Sequence, residues 1–532
     1  MKRIIYIFII SAFVCNYINA QSEEEKVNMQ KLGLAYSAIT KLYVDNTDNT
    51  KIVEEAVKNM LKNLDPHSSY TNAEDTRRMN EPLEANFDGI GIQFNMLIDT
   101  LYVVQVISGG PSEKVGLLAG DRIVMVDNTI IAGVNMANND VIKLIRGKKG
   151  TEVNIKVKRD AVSQLLDFKI IRDVIPFHSI DASYMADKKT GYIRLSRFAA
   201  SSMVEFEKSL SDLKKQGMKN LILDLQSNGG GYLHISQELA DQFLDKGKLL
   251  VYTEGSKSNR YNEIAKEGGL FNEGKLIILV DENSASASEI VAGAIQDWDR
   301  GVIVGRRTFG KGLVQRPIEL PDGSMIRLTV ARYYTPSGRN IQKPYEIGNK
   351  EAYNHDLIHR YNKGELMSAD SIHFPDSLKY NTLLSKRTVY GGGGIMPDVF
   401  IPLDSTRTTE YHSKIIRNNT MNKMAMNYLD KNRKEMIKKY PDINKFKDKF
   451  IVNEDILKEL IRIADEDKIE YNEEEFNKSK EIISFQLKSL IANDLFSSSE
   501  FYQIYNDIND SYLKALQIIN NEEEYNRILK GG

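Results

Sequence analysis

Three serines at alternate positions, Ser284, Ser286 and Ser288, follow the apolar run LIILV and precede the stretch IVAGAIQDW at 290–298. The run is short and β-branched, as a buried strand is, and the stretch after the serines has apolar residues at helical spacing. The serines therefore stand at a strand-to-helix turn, where the first N–H groups of the helix have no intrahelical acceptor. Such a turn suits a nucleophile, because the same N–H groups can receive an oxyanion. A serine hydroxyl needs a base, and no histidine lies nearby in this half of the chain. Lys311 stands between Gly310 and Gly312, shortly after a second β-branched run, Val302-Ile303-Val304. A lysine amine acts as a base once burial brings its pKa down, and Ser–Lys pairs are a known variant of serine catalysis. The bland readings are that serines at a helix start are N-caps and that a lysine between glycines is a solvated loop residue. Spacing alone does not choose among the three serines.

The elements that must hold these groups repeat. Residues 221–225 (LILDL) read as a buried strand closed by Gln226-Ser227-Asn228-Gly229-Gly230-Gly231, and 235–244 read as helix. Strand, glycine-rich turn and helix, twice over, predict an α/β architecture with parallel pairing. The turn at 226–231 is not a phosphate loop: it has neither G-K-[ST] nor G-x-G-x-x-G.

The segment 284–315, SASASEIVAGAIQDWDRGVIVGRRTFGKGLVQ, resembles the active-site region of the C-terminal processing (tail-specific) serine peptidases. The resemblance implies a ClpP/crotonase-like peptidase core with Ser286 as nucleophile, Lys311 as general base and Gln315 supporting the lysine. It also implies an oxyanion hole at the D-L-R-x-N-x-G-G position, made by the N–H of Gly229 or Gly230 together with that of Ala287. Gln226 stands where arginine is commoner and Gly229 where proline often stands; neither change removes an N–H donor, and Gly229 adds one. The stretches 328–339 (LTVARYYTPSGR) and 394–398 (GIMPD) also match, separated by a polar, tyrosine-rich insertion at about 344–390. That insertion carries His355, His359 and His373, read as solvated rather than as metal ligands. No metal or organic cofactor is implied.

Upstream, F-D-G-I-G-I-Q-F at 87–94 and G-P-S-x-x-x-G-L-x-x-G-D-x-I at 110–123 resemble a PDZ domain, placed at 85–165. Gly89, Ile90, Gly91 and Ile92 would present backbone N–H groups to a terminal carboxylate, and the peptide would add as a strand at the sheet edge. The expected partners are proteins or peptides with free C-termini, with a homo-oligomer, an adaptor protein or peripheral contact with a membrane as further possibilities. Arg146 is read as a surface arginine, with a link between PDZ position and active site as the alternative.

At 532 residues several domains are expected. The formal net charge of −2 argues against nucleic acid as a partner. A basic start, an apolar run to Val14 and Asn19-Ala20 read as a signal peptide at 1–20, placing the mature chain in the periplasm; an uncleaved N-terminal anchor is the alternative. Cys15 is the only cysteine, so cleavage there leaves none. Residues 21–84 read as helical, ending at Leu64-Asp65-Pro66-His67, where Asp-Pro stops the helix and His67 has no assigned catalysis. The peptidase domain spans 166–405 and a helical appendage 406–532. The expected whole is a multidomain α/β serine endopeptidase acting near protein C-termini. Its rivals are a non-catalytic PDZ scaffold or chaperone, and a Ser–His hydrolase using His178 or His234.

Overall fold

The computed structural model of the chain describes residues 23–531 except 97, 98, 108, 160, 161 and 267. The expected signal segment at 1–20 lies outside the described residues. At the centre is a six-stranded sheet in the order Ile180–Met185, Thr190–Leu195, Asn220–Asp224, Leu276–Val280, Val302–Gly305, Val399–Phe400. The first pair is antiparallel and the others are parallel. All five residues of Leu276–Val280 are buried, as befits a parallel strand covered on both faces.

The strand period of two divides that run between two cores. Leu276, Ile278 and Val280 face helices Ser202–Lys215, Leu233–Asp241 and Ala287–Asp297, with Phe206, Phe243 and Val291 in the same core. Ile277 and Leu279 face the opposite way, onto Tyr512, Ala515 and Ile518 of the C-terminal helix Asp510–Asn520. The helical appendage is thus one layer of the peptidase sandwich. A second sheet is built on Met325–Tyr334, which pairs with Leu313–Glu319, Leu249–Gly255 and Ser69–Thr71. Ser69–Thr71 and Leu313–Glu319, the strand that follows Lys311, thus flank Met325–Tyr334 on opposite edges, which brings the stretch around His67 into the same sheet.

The second unit has its own sheet, ordered Ile92–Met96, Leu101–Val106, Arg122–Val126, Glu152–Lys158, Leu166–Ile171, and its own core around Leu101, Ile123, Val141 and Val157. It runs past the boundary expected at 165. The alternation Leu166-Asp167-Phe168-Lys169-Ile170 belongs to it, because Leu166–Ile171 pairs with Glu152–Lys158 and Ile170 is buried in that core. Entry and exit are zipped together, Asn86–Gly89 antiparallel to Asp173–Pro176.

Helices Thr420–Lys439, Glu454–Glu466 and Glu473–Leu495 share a separate core that includes Leu429, Leu460 and Leu487. Met426 of this bundle packs on Tyr102 and Val104 of the second unit, and Asp430 is paired with Arg122. The insertion holds two short helices, Lys350–Asn354 and Asp356–Asn362, and a hairpin of Lys379–Asn381 with Thr388–Tyr390.

Candidate active site

The turn after Leu276–Val280 is shaped by Asp281, whose Oδ1 accepts the N–H groups of Ser227, Asn283 and Ser284 at 2.9–3.0 Å. The neighbouring serines are committed to this framework. Ser284 Oγ donates to the Leu225 carbonyl and Ser288 Oγ to the Asn228 carbonyl, each at 2.8 Å, and both side chains are fully buried. Ser286 is half-buried and its Oγ bonds to nothing beyond the start of its own helix. Its backbone has φ 56° and ψ −110°, a conformation that L-residues rarely adopt, which turns this side chain away from the path of its neighbours. The structure thus distinguishes among three serines that spacing left equivalent.

Gly230 lies against this turn. A Cβ there would sit 2.9 Å from Ser286 Cβ and 3.0 Å from Ala287 N, so only glycine permits the approach. Its N–H is already donated to Asn228 Oδ1 at 2.9 Å. Among the described residues the N–H groups of Gly229 and Ala287 have no acceptor. Of the two glycines left open by the sequence, Gly229 is the one with a donor to spare. Gln226, standing where arginine is commoner, accepts at Oε1 from Asn509 Nδ2 at 3.1 Å, at the start of helix Asp510–Asn520.

Lys311 is brought to the turn by Glu289, a residue the motif reading passed over. Glu289 is fully buried, and its Oε2 accepts both the Ser286 N–H at 2.8 Å and the Lys311 N–H at 2.9 Å. Oε1 accepts Thr308 Oγ1 at 2.5 Å and the Gly310 N–H at 2.7 Å. One carboxylate oxygen therefore ties the backbones of the two residues together. The Tyr333 hydroxyl performs the complementary task, lying 3.2 Å from the Ser286 carbonyl and in contact with the Lys311 carbonyl. Glu289 could have been found from its place three residues after an N-cap serine, the capping-box spacing. Burial pushes its carboxyl up to about 7, against the four donors that pull it down.

Burial also lowers the Lys311 amine from the ordinary lysine range, reinforced by Arg327 and opposed by Glu289 and Asp65. Its Nζ donates to Gln315 Oε1 at 3.1 Å, and Gln315 Nε2 donates to the His67 carbonyl at 2.7 Å. No hydrogen bond joins Lys311 Nζ to Ser286 Oγ among the described residues. His67 lies at this site, but burial and the neighbouring Lys311 hold its imidazole down at about 3, so it stays neutral, and its ring faces Tyr353 rather than Ser286. His178 and His234 are exposed and neither bonds to Ser286. His355, His359 and His373 are exposed, and among the described residues no cluster of His, Cys, Asp and Glu could hold a metal ion.

The Gly89–Ile92 loop is anchored through its carbonyls. The Ile90 carbonyl accepts Ser112 N at 3.0 Å and Ser112 Oγ at 2.6 Å, and the Gly91 carbonyl accepts Ile107 N at 3.0 Å. The N–H groups of Ile90 and Gly91 have no acceptor among the described residues. Ile92–Met96, which follows, is an edge strand paired on one side only. Arg146 pairs with Glu81 Oε2 at 2.6 Å and lies over the Phe87 ring, so it fastens this unit to helix Ala73–Glu84 rather than reaching the serine.

Residues 189–348 match the model of peptidase family S41, 89–170 that of the PDZ domain, 14–75 that of the activating protease CtpB N-terminal domain, and 411–497 a family of unknown function, DUF8443. The chain is 38% identical over 319 residues to a carboxy-terminal-processing protease of Bartonella bacilliformis, covering 59% of this chain and 72% of that one. The chain belongs to this peptidase family. Carboxy-terminal processing protease CtpA of Bacillus subtilis is 36% identical over 317 residues, 59% of this chain and 66% of its own. Among solved structures, the photosystem II D1 C-terminal processing protease is 26% identical, covers 73% of this chain and 95% of its own, and has a TM-score of 0.36; the assignment rests on the sequence relatives. The chain is a serine-type S41 peptidase with a PDZ domain, and a purely non-catalytic scaffold is not the favoured reading.

Proposed function

We propose that this S41 peptidase cuts protein substrates near their C-termini by a Ser286–Lys311 dyad, with the PDZ domain holding the substrate's free carboxylate. The observation that carries the proposal is the shared Glu289 oxygen, which keeps the backbones of Ser286 and Lys311 together while the lysine amine is buried and its pKa lowered. With both backbones held, the amine would release Gln315 Oε1 to engage Ser286 Oγ. Ser286 Oγ then attacks the scissile carbonyl as the neutral amine takes its proton. The N–H groups of Ala287 and Gly229 receive the oxyanion, the new N-terminal amine leaves with the proton from Lys311, and water hydrolyses the acyl-enzyme.

The unpartnered N–H groups of Ile90 and Gly91 beside an open strand edge support carboxylate capture followed by strand addition. Export to the periplasm is part of the same proposal and rests on the composition of residues 1–20. The test is incubation of wild type, Ser286→Ala and Lys311→Ala with a protein carrying an apolar C-terminal tail, free or amidated. Cleavage abolished in both variants and slowed by amidation is the expected result. Cleavage by Ser286→Ala overturns the dyad, and indifference to amidation overturns carboxylate capture.

A further inference from the structure

We infer that the insertion at 344–390 is part of the catalytic apparatus, its Tyr353 acting as a positioning residue that closes a ring of hydrogen bonds around the base. The inference rests on the Ser286–Lys311 reading and deepens it. The ring starts at Lys311, whose Nζ donates to Gln315 Oε1 at 3.1 Å; Gln315 Nε2 donates to the His67 carbonyl at 2.7 Å. His67 Nε2 lies 2.8 Å from the Tyr353 hydroxyl. Gln342 Nε2 donates to that hydroxyl at 3.2 Å, and Gln342 Oε1 accepts the N–H of Gly312 at 2.9 Å, next in the chain to Lys311.

Backbone groups fix the sense of the two amide side chains. The His67 carbonyl can only accept, so the amide nitrogen of Gln315 faces it and Oε1 is left facing Lys311. The Gly312 N–H can only donate, so Gln342 turns Oε1 to it and its nitrogen to Tyr353. The Tyr353 oxygen accepts from Gln342 and lies 2.8 Å from His67 Nε2, a link in which the tautomer of the neutral imidazole decides which side donates. Tyr353 thus joins Gln342 to His67, the residue that orients Gln315, and it comes from a segment foreign to the surrounding motifs. It is buried, packed edge-on against His67 at 5.0 Å and lying beneath Lys343 Nζ at 4.2 Å, so its ring is held independently of its hydroxyl. Removal of the hydroxyl takes from the His67 ring the partner that steadies the residue whose carbonyl orients Gln315, while Gln342 keeps the Lys343 carbonyl at 2.8 Å and the Gly312 N–H.

The experiment is a double-mutant cycle of Tyr353→Phe and Gln315→Ala in the full-length protein. It is read by tail-bearing substrate cleavage and by the rate of Ser286 labelling with a fluorophosphonate, so that slow variants stay measurable. Tyr353→Phe is expected to lower kcat about tenfold, with KM held within about twofold, because a misplaced base acts on the chemical step. In the Gln315→Ala background the same change should cost less than about twofold, since its route to Lys311 is gone. Full kcat in Tyr353→Phe, or an equal fold-loss in both backgrounds, overturns the inference while Ser286→Ala remains inactive. Cleavage surviving in Ser286→Ala overturns the dyad and the ring with it.

Discussion

The turn at Ser286 and the loop at Gly89–Ile92 both offer unpartnered backbone N–H groups, yet they are built to opposite ends. Around Ser286 nearly every other polar group is committed: Asp281 to the turn, Glu289 to four donors, Tyr333 to two carbonyls, Ser284 and Ser288 to strand and loop carbonyls. That surplus of constraint holds a serine at positive φ, and it places reacting groups before substrate arrives. Between the strands that hold its ends, the PDZ loop is fastened through the Ile90 and Gly91 carbonyls and opens onto a strand edge paired on one side, so a peptide can complete the sheet. Stiffness serves the chemical step; incompleteness serves capture. Changes at the first region should therefore act on kcat, and changes at the second on KM.

The largest break should come from the reacting groups themselves. Ser286→Ala and Lys311→Ala are each expected to lower kcat by a factor on the order of 10^4 or more, with little further loss when combined, because members of one catalytic unit are not additive. Single-turnover assays of the two variants and their double check this. Glu289→Gln comes next. Its amide nitrogen would face N–H or O–H donors where a carboxylate oxygen now accepts two of them. Leaving such buried donors unsatisfied costs about 1–3 kcal/mol each, so both the melting temperature and kcat should fall.

Acidity sharpens the same point. Lys311, lowered from the usual lysine range, must be deprotonated to act; Glu289, raised to about 7, must be ionised to hold its four donors. Both conditions fail as pH falls, so kcat/KM should drop on the acid side with a slope steeper than one proton once pH passes below about 7. A pH–rate profile whose acid limb has unit slope throughout would remove Glu289 from the explanation. His67, held at about 3, contributes nothing to that limb.

How much of this was legible follows the same division between local and distant cause. The proposed nucleophile, base and supporting glutamine stood in one continuous motif, and the PDZ loop in another, because each depends on a local turn. What escaped were groups acting across the chain. Glu289 binds a segment around 20 residues on, His67 reaches Gln315 through a strand pairing, and Tyr353 arrives from an insertion with no motif of its own. The appendage read correctly as helical, but not as the second cover of the central sheet. The unbroken apolar run LIILV marks two buried faces without saying which distant helix, here Asp510–Asn520, fills one of them. The PDZ boundary expected at 165 stops short of the last strand for a related reason: Leu166–Ile171 alternates, but only its pairing with Glu152–Lys158 shows to which sheet it belongs.

On the capture side, Gly91→Val should strike KM. Gly91 has φ 77°, and a Cβ there would sit 3.1 Å from Ile175 Cδ1 and 3.3 Å from Pro111 Cδ, so the loop must distort. For a substrate with a free apolar tail KM should rise about tenfold, the scale on which two lost backbone hydrogen bonds weaken binding, while kcat holds within about twofold. Calorimetric titration of a tail peptide into the variant would report the lost affinity directly. An equal fall in kcat would mean that the PDZ loop also sets the geometry of the dyad, and the separation of the two regions would fail.

The smallest effect belongs to the contact between PDZ sheet and C-terminal bundle. Arg122 pairs with Asp430, both side chains being about one-fifth exposed, beside Met426 packed on Tyr102 and Val104. A partly solvated ion pair contributes on the order of 1 kcal/mol or less, so Asp430→Ala should barely move the melting temperature. Its consequence should appear instead as faster hydrogen exchange confined to Leu101–Val106 and to helix Thr420–Lys439, with kcat and KM unchanged. The bundle has its own core and the peptidase sheet its own cover, so neither depends on this pair to stay folded. If kcat shifted as well, the contact would be a third determinant of dyad geometry, and the open PDZ edge could no longer be treated apart from the rigid turn.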